Sequence, residues 1–286
     1  MGKIAISTEC VGDIPVALRE ELGIEIIFLD VVTDQGVFKD TVEITDRNVI
    51  EYMMGGLHKC KSREPDAEGF RAHFEELLKC HDEVIHICIS GGIATSVKNT
   101  TEALALMKPE MAERVHIVDS RHLSSGQGML VCEAAKLRNA GAESGEIIQK
   151  IQDMREKIST SFIARNADFL YYNGRASEKI MKLCNNLALH PVLYMKDGML
   201  VVKRILIGNY DKACERYVKR ELKKSKLIDR STGYITYAGC SNNRLEQVRK
   251  LVEERIRFDN LYLNAASAAV SCNCGPDTFG ILFKLK

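Results

Sequence analysis

Short apolar runs alternate along the chain with segments whose apolar positions recur every three or four residues. Residues 3–7, 84–89 and 115–118 are apolar, β-branched and too short for helices, as strands buried on both faces of a parallel sheet are. Residues 24–32 read as a further strand of this kind. Between these runs the period is helical. Asp13-Ile14-Pro15 marks the first helix, with Asp13 at the N-cap and Gly23 at its end. Thr45-Asp46 starts a helix carrying Val49, Ile50 and Met53. Asp66 caps one with Phe70, Phe74, Leu77 and Leu78 on a single face. After Ser144, Ile147, Ile148, Ile151 and Met154 share a face. Strands alternating with helices in this way predict a doubly wound parallel sheet.

The pattern changes near residue 158. Residues 161–164 read as a strand, and 171–175 as a turn before a helix at Ser177. Residues 192–194 and 200–203 flank Lys196-Asp197-Gly198, a hairpin signal. A helix from Asp211, a strand over 234–237, a helix from Asn242 and three short strands complete the chain. The expected fold class is therefore α/β in two domains. Residues 1–158 form an N-terminal doubly wound parallel-sheet domain, and 159–286 a C-terminal α+β domain with a mixed, partly antiparallel sheet.

Composition narrows the function classes. Over 286 residues the net charge is +1, with 45% hydrophobic and 28% charged residues. That balance gives no footprint for nucleic acid. No apolar run approaches the ~20 residues of a membrane span. Residues 1–6 run directly into a strand, so no secretory signal is expected. The ten cysteines lack disulfide-framework or zinc spacing, which fits a reducing, cytoplasmic setting. Cys272 and Cys274 flank one residue and offer a redox reading.

The chemistry-bearing stretch follows the strand at 84–89. Ser90-Gly91-Gly92 turns sharply into a helix near Thr95, and a strand, a glycine turn and a helix N-terminus together cradle anions. Established templates are missing: there is no Walker A sequence, no dinucleotide fingerprint and no nucleophile elbow. Asp119, Ser120 and His122 carry the letters of a catalytic triad, but neighbours in sequence rarely reach triad geometry. Asp119 or His86 acting as a general base in a cleft is the enzyme reading that remains. His86, alternating within a buried strand, reads otherwise as a core residue. His190 before a proline reads as a turn residue.

Six short motifs occur in order along nearly the whole length. They are Thr8-Glu9-Cys10-Val11-Gly12-Asp13-Ile14-Pro15, Ser62-Arg63-Glu64-Pro65, Ile89-Ser90-Gly91-Gly92-Ile93, Val118-Asp119-Ser120-Arg121 running to Gly126-Gln127-Gly128, Gly174-Arg175, and Gly275-Pro276. In this series the chain resembles the DegV family, bacterial fatty-acid-binding proteins that serve as lipid-presenting subunits of fatty acid kinase. The resemblance implies two domains with an acyl chain in a cleft between them and its carboxylate held by polar groups. It also implies that a partner kinase, not this chain, carries out phosphoryl transfer. No cofactor or metal is expected. The head-group candidates it points to are Ser62, Arg63, Ser90, Gly91, Gly92 and Asn273. Arg175 and Arg204 are the candidate partner-facing cations.

The departures fall on the head-group positions. Ser62 replaces a threonine and keeps its hydroxyl. Arg63 and Gly91 stand where the family has serines, and Asn273 stands in place of a histidine. Asparagine donates a hydrogen bond but carries no charge, so a fatty carboxylate is held less strongly unless Arg63 compensates. Another lipid or a small anion is the alternative ligand.

Overall fold

The computed structural model describes residues 3–55, 59–172 and 177–286. The chain begins with β1 (Ile4–Glu9), α1 (Val16–Leu22), β2 (Ile24–Ile27), β3 (Asp30–Thr33), β4 (Gly36–Lys39), α2 (Asp46–Met54) and β5 (Lys61–Arg63). There follow α3 (Ala67–Leu77), β6 (Glu83–Cys88), α4 (Ser96–Leu106), α5 (Pro109–Ala112), β7 (Val115–Asp119), α6 (Ser125–Asn139) and α7 (Ser144–Arg155). The remainder is β8 (Ile158–Ile163), α8 (Asp168–Tyr172), α9 (Glu178–Asn186), β9 (Leu189–Lys196), β10 (Met199–Ile207), α10 (Tyr210–Glu221), β11 (Ile228–Ala238), α11 (Asn242–Glu253), β12 (Asn260–Ala265), α12 (Ala268–Cys274) and β13 (Thr278–Leu285). No helix among the described residues is long and apolar enough to cross a membrane.

The chain forms two compact units, each discontinuous in sequence. The first comprises Met1–Asp30, Arg63–Lys157 and Lys196–Met199. Its parallel sheet has the order β2-β1-β6-β7, with Ile6 opposite both Ile24 and Ile85. Phe70 and Phe74 of α3 and Ala103 of α4 pack on Ala5, Val84 and Val115, which removes the helical stripe read from the sequence from water. The α6 helix packs against β1, β2 and β6. Its start lies so close to the Cys10–Gly12 turn that a Cβ on Gly128 would collide with the Gly12 carbonyl.

The second unit comprises Val31–Ser62, Ile158–Met195 and Leu200–Lys286. Its six-stranded sheet has the order β10-β9-β8-β13-β11-β12. The β11–β13, β13–β8 and β8–β9 pairings are antiparallel, and β11–β12 is parallel. Tyr217 and Val218 of α10 and Val248 and Val252 of α11 pack on Ile235, Ile281 and Phe283. A further three-stranded sheet has the order β4-β3-β5.

The α/β class, the parallel sheet and the separate mixed sheet are those the pattern predicts. Four details differ. The segment Val31–Ser62 falls in the second unit rather than within an undivided 1–158. Asp40, wholly buried, accepts the backbone N–H groups of Ala268 and Ala269 at 2.8 and 3.1 Å, and α2 packs on α12 and β11. The run 24–32 is two strands, because the chain leaves the parallel sheet at Phe28-Leu29, where the Leu29 N–H turns to Cys10 Sγ at 3.3 Å. Asp13 does not cap α1; it takes a left-handed conformation with φ 46° and Pro15 occupies the N-cap. Only two strands close the chain, since the small residues between them form α12, capped by Ser267. The expected turn at 171–175 lies partly outside the described residues.

Candidate functional site

In the first unit the loop after β6 is drawn inward by its own hydroxyl. Ser90 is fully buried; its Oγ donates to the Gly198 carbonyl at 2.7 Å and accepts the Gly92 N–H at 3.3 Å. A Cβ on Gly92 would stand 2.5 Å from the same carbonyl oxygen, so only glycine fits there. The Gly91 N–H donates to Asp119 Oδ1 at 3.4 Å. The Ile93 and Ala94 N–H groups return to the Ser90 carbonyl at 3.1 and 3.2 Å.

The anion cradle predicted at the start of α4 is occupied by the protein's own carboxylate. Glu64 Oε2 accepts Thr95 N–H at 2.9 Å and Thr95 Oγ1–H at 2.6 Å, with Ser96 Oγ at 3.4 Å. A carboxylate at a helix N-terminus meets unpaired N–H groups and the positive end of the dipole. Sequence reasoning passed over Glu64, although its place beside Ser62 and Arg63 in one motif was the available signal. Arg63 is likewise engaged, its Nη2 2.6 Å from Asp30 Oδ2. Both side chains retain solvent contact, so the pair exchanges at little cost.

Ser62 and Asn273 meet in the second unit. Asn273, on α12, donates through Nδ2 to Ser62 Oγ at 3.2 Å and to the Ala269 carbonyl at 2.7 Å. Because Ser62 accepts in this contact, its own O–H points its proton elsewhere. Ser62 is exposed. The pairing joins two of the six head-group candidates; Ser90, Gly91 and Gly92 gather in the first unit's loop, where Arg63 also belongs to that unit.

Asp119 accepts Arg121 N–H at 2.7 Å through Oδ1. His86 is fully buried and stacks edge-on against Phe70 and Phe74, so no substrate reaches it as a base. The triad letters form a turn instead: the Ser120 hydroxyl donates to the His122 carbonyl at 3.1 Å, and His122 Nε2 faces the Arg155 carbonyl at 2.9 Å. His190 lies in β9, its ring between the Arg165 and Gly208 carbonyls at 2.5 and 2.7 Å. Cys272 is buried, and burial pushes its thiol well up from the ordinary value. Arg204 pairs with Glu221 at 3.2 Å and lies over the Tyr194 ring. Arg175 lies outside the described residues.

A network that the sequence did not disclose runs behind the Ser90 loop. Glu9, fully buried, accepts Ile89 N–H at 3.1 Å and Gln127 Nε2–H at 2.8 Å through Oε2. Gln127 also donates to Thr8 Oγ1 at 2.8 Å. Burial alone would raise the Glu9 carboxyl, but His86 beside it and the Ser96 hydroxyl outweigh that and hold it below the usual value. These residues come from segments far apart in sequence and meet through the β1–β6 register and the packing of α6 against both strands.

The chain as a whole is similar to known proteins. A family model described as "Uncharacterised protein, DegV family" matches residues 3–286. A DegV domain-containing protein of Caldanaerobacter subterraneus subsp. tengcongensis is 28% identical over 290 residues, covering 100% of both chains. A solved structure described as fatty acid binding of a DegV family protein from Thermus thermophilus superimposes with a TM-score of 0.87 at 24% identity, over 99% of this chain and 100% of that one. A structure described as a stearic acid-binding protein from Eubacterium ventriosum gives 0.86 at 19% identity, over 99% and 98%. Matched from the first described residue to the last, the chain belongs to the DegV family.

Proposed function

We propose that this protein binds a long-chain fatty acid and presents its carboxylate to a partner kinase, performing no chemistry alone. The observation that carries the reading is the Ser62–Asn273 pair, which leaves an exposed hydroxyl proton to donate to a carboxylate oxygen. Two proteins of the same fold, one of them described as a DegV family protein, are described as fatty-acid or stearic-acid binders. Burying a hydrocarbon tail is worth about 0.8 kcal/mol per CH₂, so the tail supplies the affinity and a neutral hydroxyl–amide pair suffices to orient the head. Ser90 and the glycines shape the loop, and Arg63 adds charge when it leaves Asp30.

A second reading, a different lipid or small anion, draws on Glu64 filling the α4 N-terminus and on the uncharged Asn273. Native mass spectrometry of gently purified protein, with identification of what denaturation releases, separates the two. One fatty acid per chain supports carriage. An empty chain that ignores added fatty acids overturns it and favours the second reading. Adding a fatty acid kinase subunit and ATP to the loaded protein then tests presentation: acyl phosphate must form only with both proteins present.

A further inference from the structure

Ser7 and Glu9 on β1, and His86 and Cys88 on β6, project to one face of the parallel sheet, since side chains alternate along strands and Ser7 stands opposite His86. All four are fully buried. One ligating atom each from Glu9, His86 and Cys88 lies within 4.8 Å of the others. Glu9 Oε1 and His86 Nε2 face each other across 3.9 Å, too far for a hydrogen bond, and among the described residues neither atom has a hydrogen-bond partner at normal distance. The neighbouring Gln127 Oε1 is also buried without a hydrogen-bond partner among the described residues. Buried polar atoms left without a hydrogen bond are costly, and a single ion held between Glu9 and His86 would satisfy both.

We propose that Glu9, His86 and Cys88 form a binding site for one divalent transition-metal ion of the zinc class. Imidazole, thiolate and carboxylate donors together suit zinc or cobalt rather than magnesium or calcium. Tetrahedral bonds of about 2.0–2.3 Å separate ligand atoms by about 3.3–3.8 Å, close to the Glu9–His86 gap; the Cys88 sulfur, now 3.7 Å from Thr100 Oγ1, leaves that contact to join them. The charges close as well. As the ion binds, the Cys88 S–H bond breaks, its proton passes to solvent and a metal–sulfur bond forms. The thiolate and the Glu9 carboxylate then cancel the two positive charges, which removes the main cost of burying an ion.

The surrounding hydrogen bonds aim the ligands. His86 Nδ1 meets Ser7 Oγ at 3.0 Å and Ser7 Oγ meets His73 Nε2 at 2.8 Å. With Nδ1–H donated to Ser7, Nε2 presents its lone pair to the ion, as outer-shell partners commonly arrange. Glu9 Oε2 is held by Ile89 and Gln127, which leaves Oε1 for the ion. The bound ion staples β1 to β6 within the first unit and is independent of what the protein carries.

Because the site is sealed, the ion must enter as the chain folds. The untagged protein is therefore expressed in medium supplemented with zinc or with cobalt, dialysed against a chelator and analysed by elemental mass spectrometry and absorption. The wild-type chain should retain about one ion, and the cobalt form should show a thiolate-to-cobalt charge-transfer band. Cys88→Ser and His86→Gln should each lower metal content about tenfold or more, with the band lost in Cys88→Ser, whereas Cys272→Ser should keep both. Folding of each variant is checked by circular dichroism. Folded wild-type protein free of metal overturns the proposal and leaves a water between Glu9 and His86. Metal and band that persist in folded Cys88→Ser overturn it equally.

Discussion

At position 273 an asparagine can orient a hydroxyl but cannot supply charge. In the proposed reading Ser62 is then the donor that meets the carboxylate, and a hydrogen bond to a charged group is worth about 1.5–3 kcal/mol. Ser62→Ala should therefore weaken fatty acid binding about 10-fold or more, measured by calorimetry on delipidated protein; unchanged affinity would remove Ser62 from the head-group site. Asn273→His should tighten binding as pH falls below about 6.5, where a histidine gains its proton. A flat pH profile in that variant would mean that residue 273 does not face the ligand. His122 gives a separate prediction for stability. Burial lowers its pKa, only partly offset by the Arg155 carbonyl. Below about pH 6.5 the unfolded chain takes up a proton that the folded chain refuses, so stability falls as pH drops from there toward the lower folded value. His122→Gln, which keeps a side-chain N–H donor, should lose less stability between about pH 7.5 and 5.5, as read from urea midpoints. Equal losses in both proteins would show that another group sets the slope.

Among the elements, the β9–β10 hairpin tests how local sequence dictates geometry. Asp197 and Gly198 both have positive φ, 51° and 78°, which is what a two-residue turn matching strand twist requires. A methyl on Gly198 meets strain and also Ser90 Oγ at 3.0 Å. Gly198→Ala should cost roughly 1–2 kcal/mol, while Asp197→Asn, equally at ease with positive φ, should stay within about 0.5 kcal/mol. Thermal unfolding of both variants decides it, and a neutral Gly198→Ala would refute the turn assignment. This turn was legible in the sequence because its cause is two adjacent residues. So were the Thr45 and Asp66 caps, whose partners lie three residues away. The division of 24–32 was not legible, because Cys10 causes it from a distance. The occupied α4 N-terminus was missed for the same reason: the helix and its capping Glu64 belong to different motifs. The Ser62–Asn273 pairing was indicated only through the family resemblance, since nothing local links residues so far apart.

At the scale of the whole chain, the discontinuity of the units has a direct consequence for how the protein can be divided. A cut at residue 158 respects the change in sequence pattern but not the contacts. It leaves the C-terminal piece without Asp40, whose carboxylate accepts the first two N–H groups of α12, and without α2, which packs on α12 and β11. Gly239 would also lose Ile50, whose side chain lies against it. The exposed apolar surface and the loss of the Asp40 carboxylate from the α12 N-terminus act together, and a fragment of that size has little stability to spare. A fragment spanning 159–286 should therefore unfold without a cooperative transition. Adding a chain of residues 31–62, either fused through a flexible linker or supplied as a peptide, should restore one. Circular dichroism melts of the three samples provide the comparison. Cooperative unfolding of 159–286 alone would mean that the Asp40 and α2 contacts are dispensable, and the sequence boundary would then be the folding boundary as well.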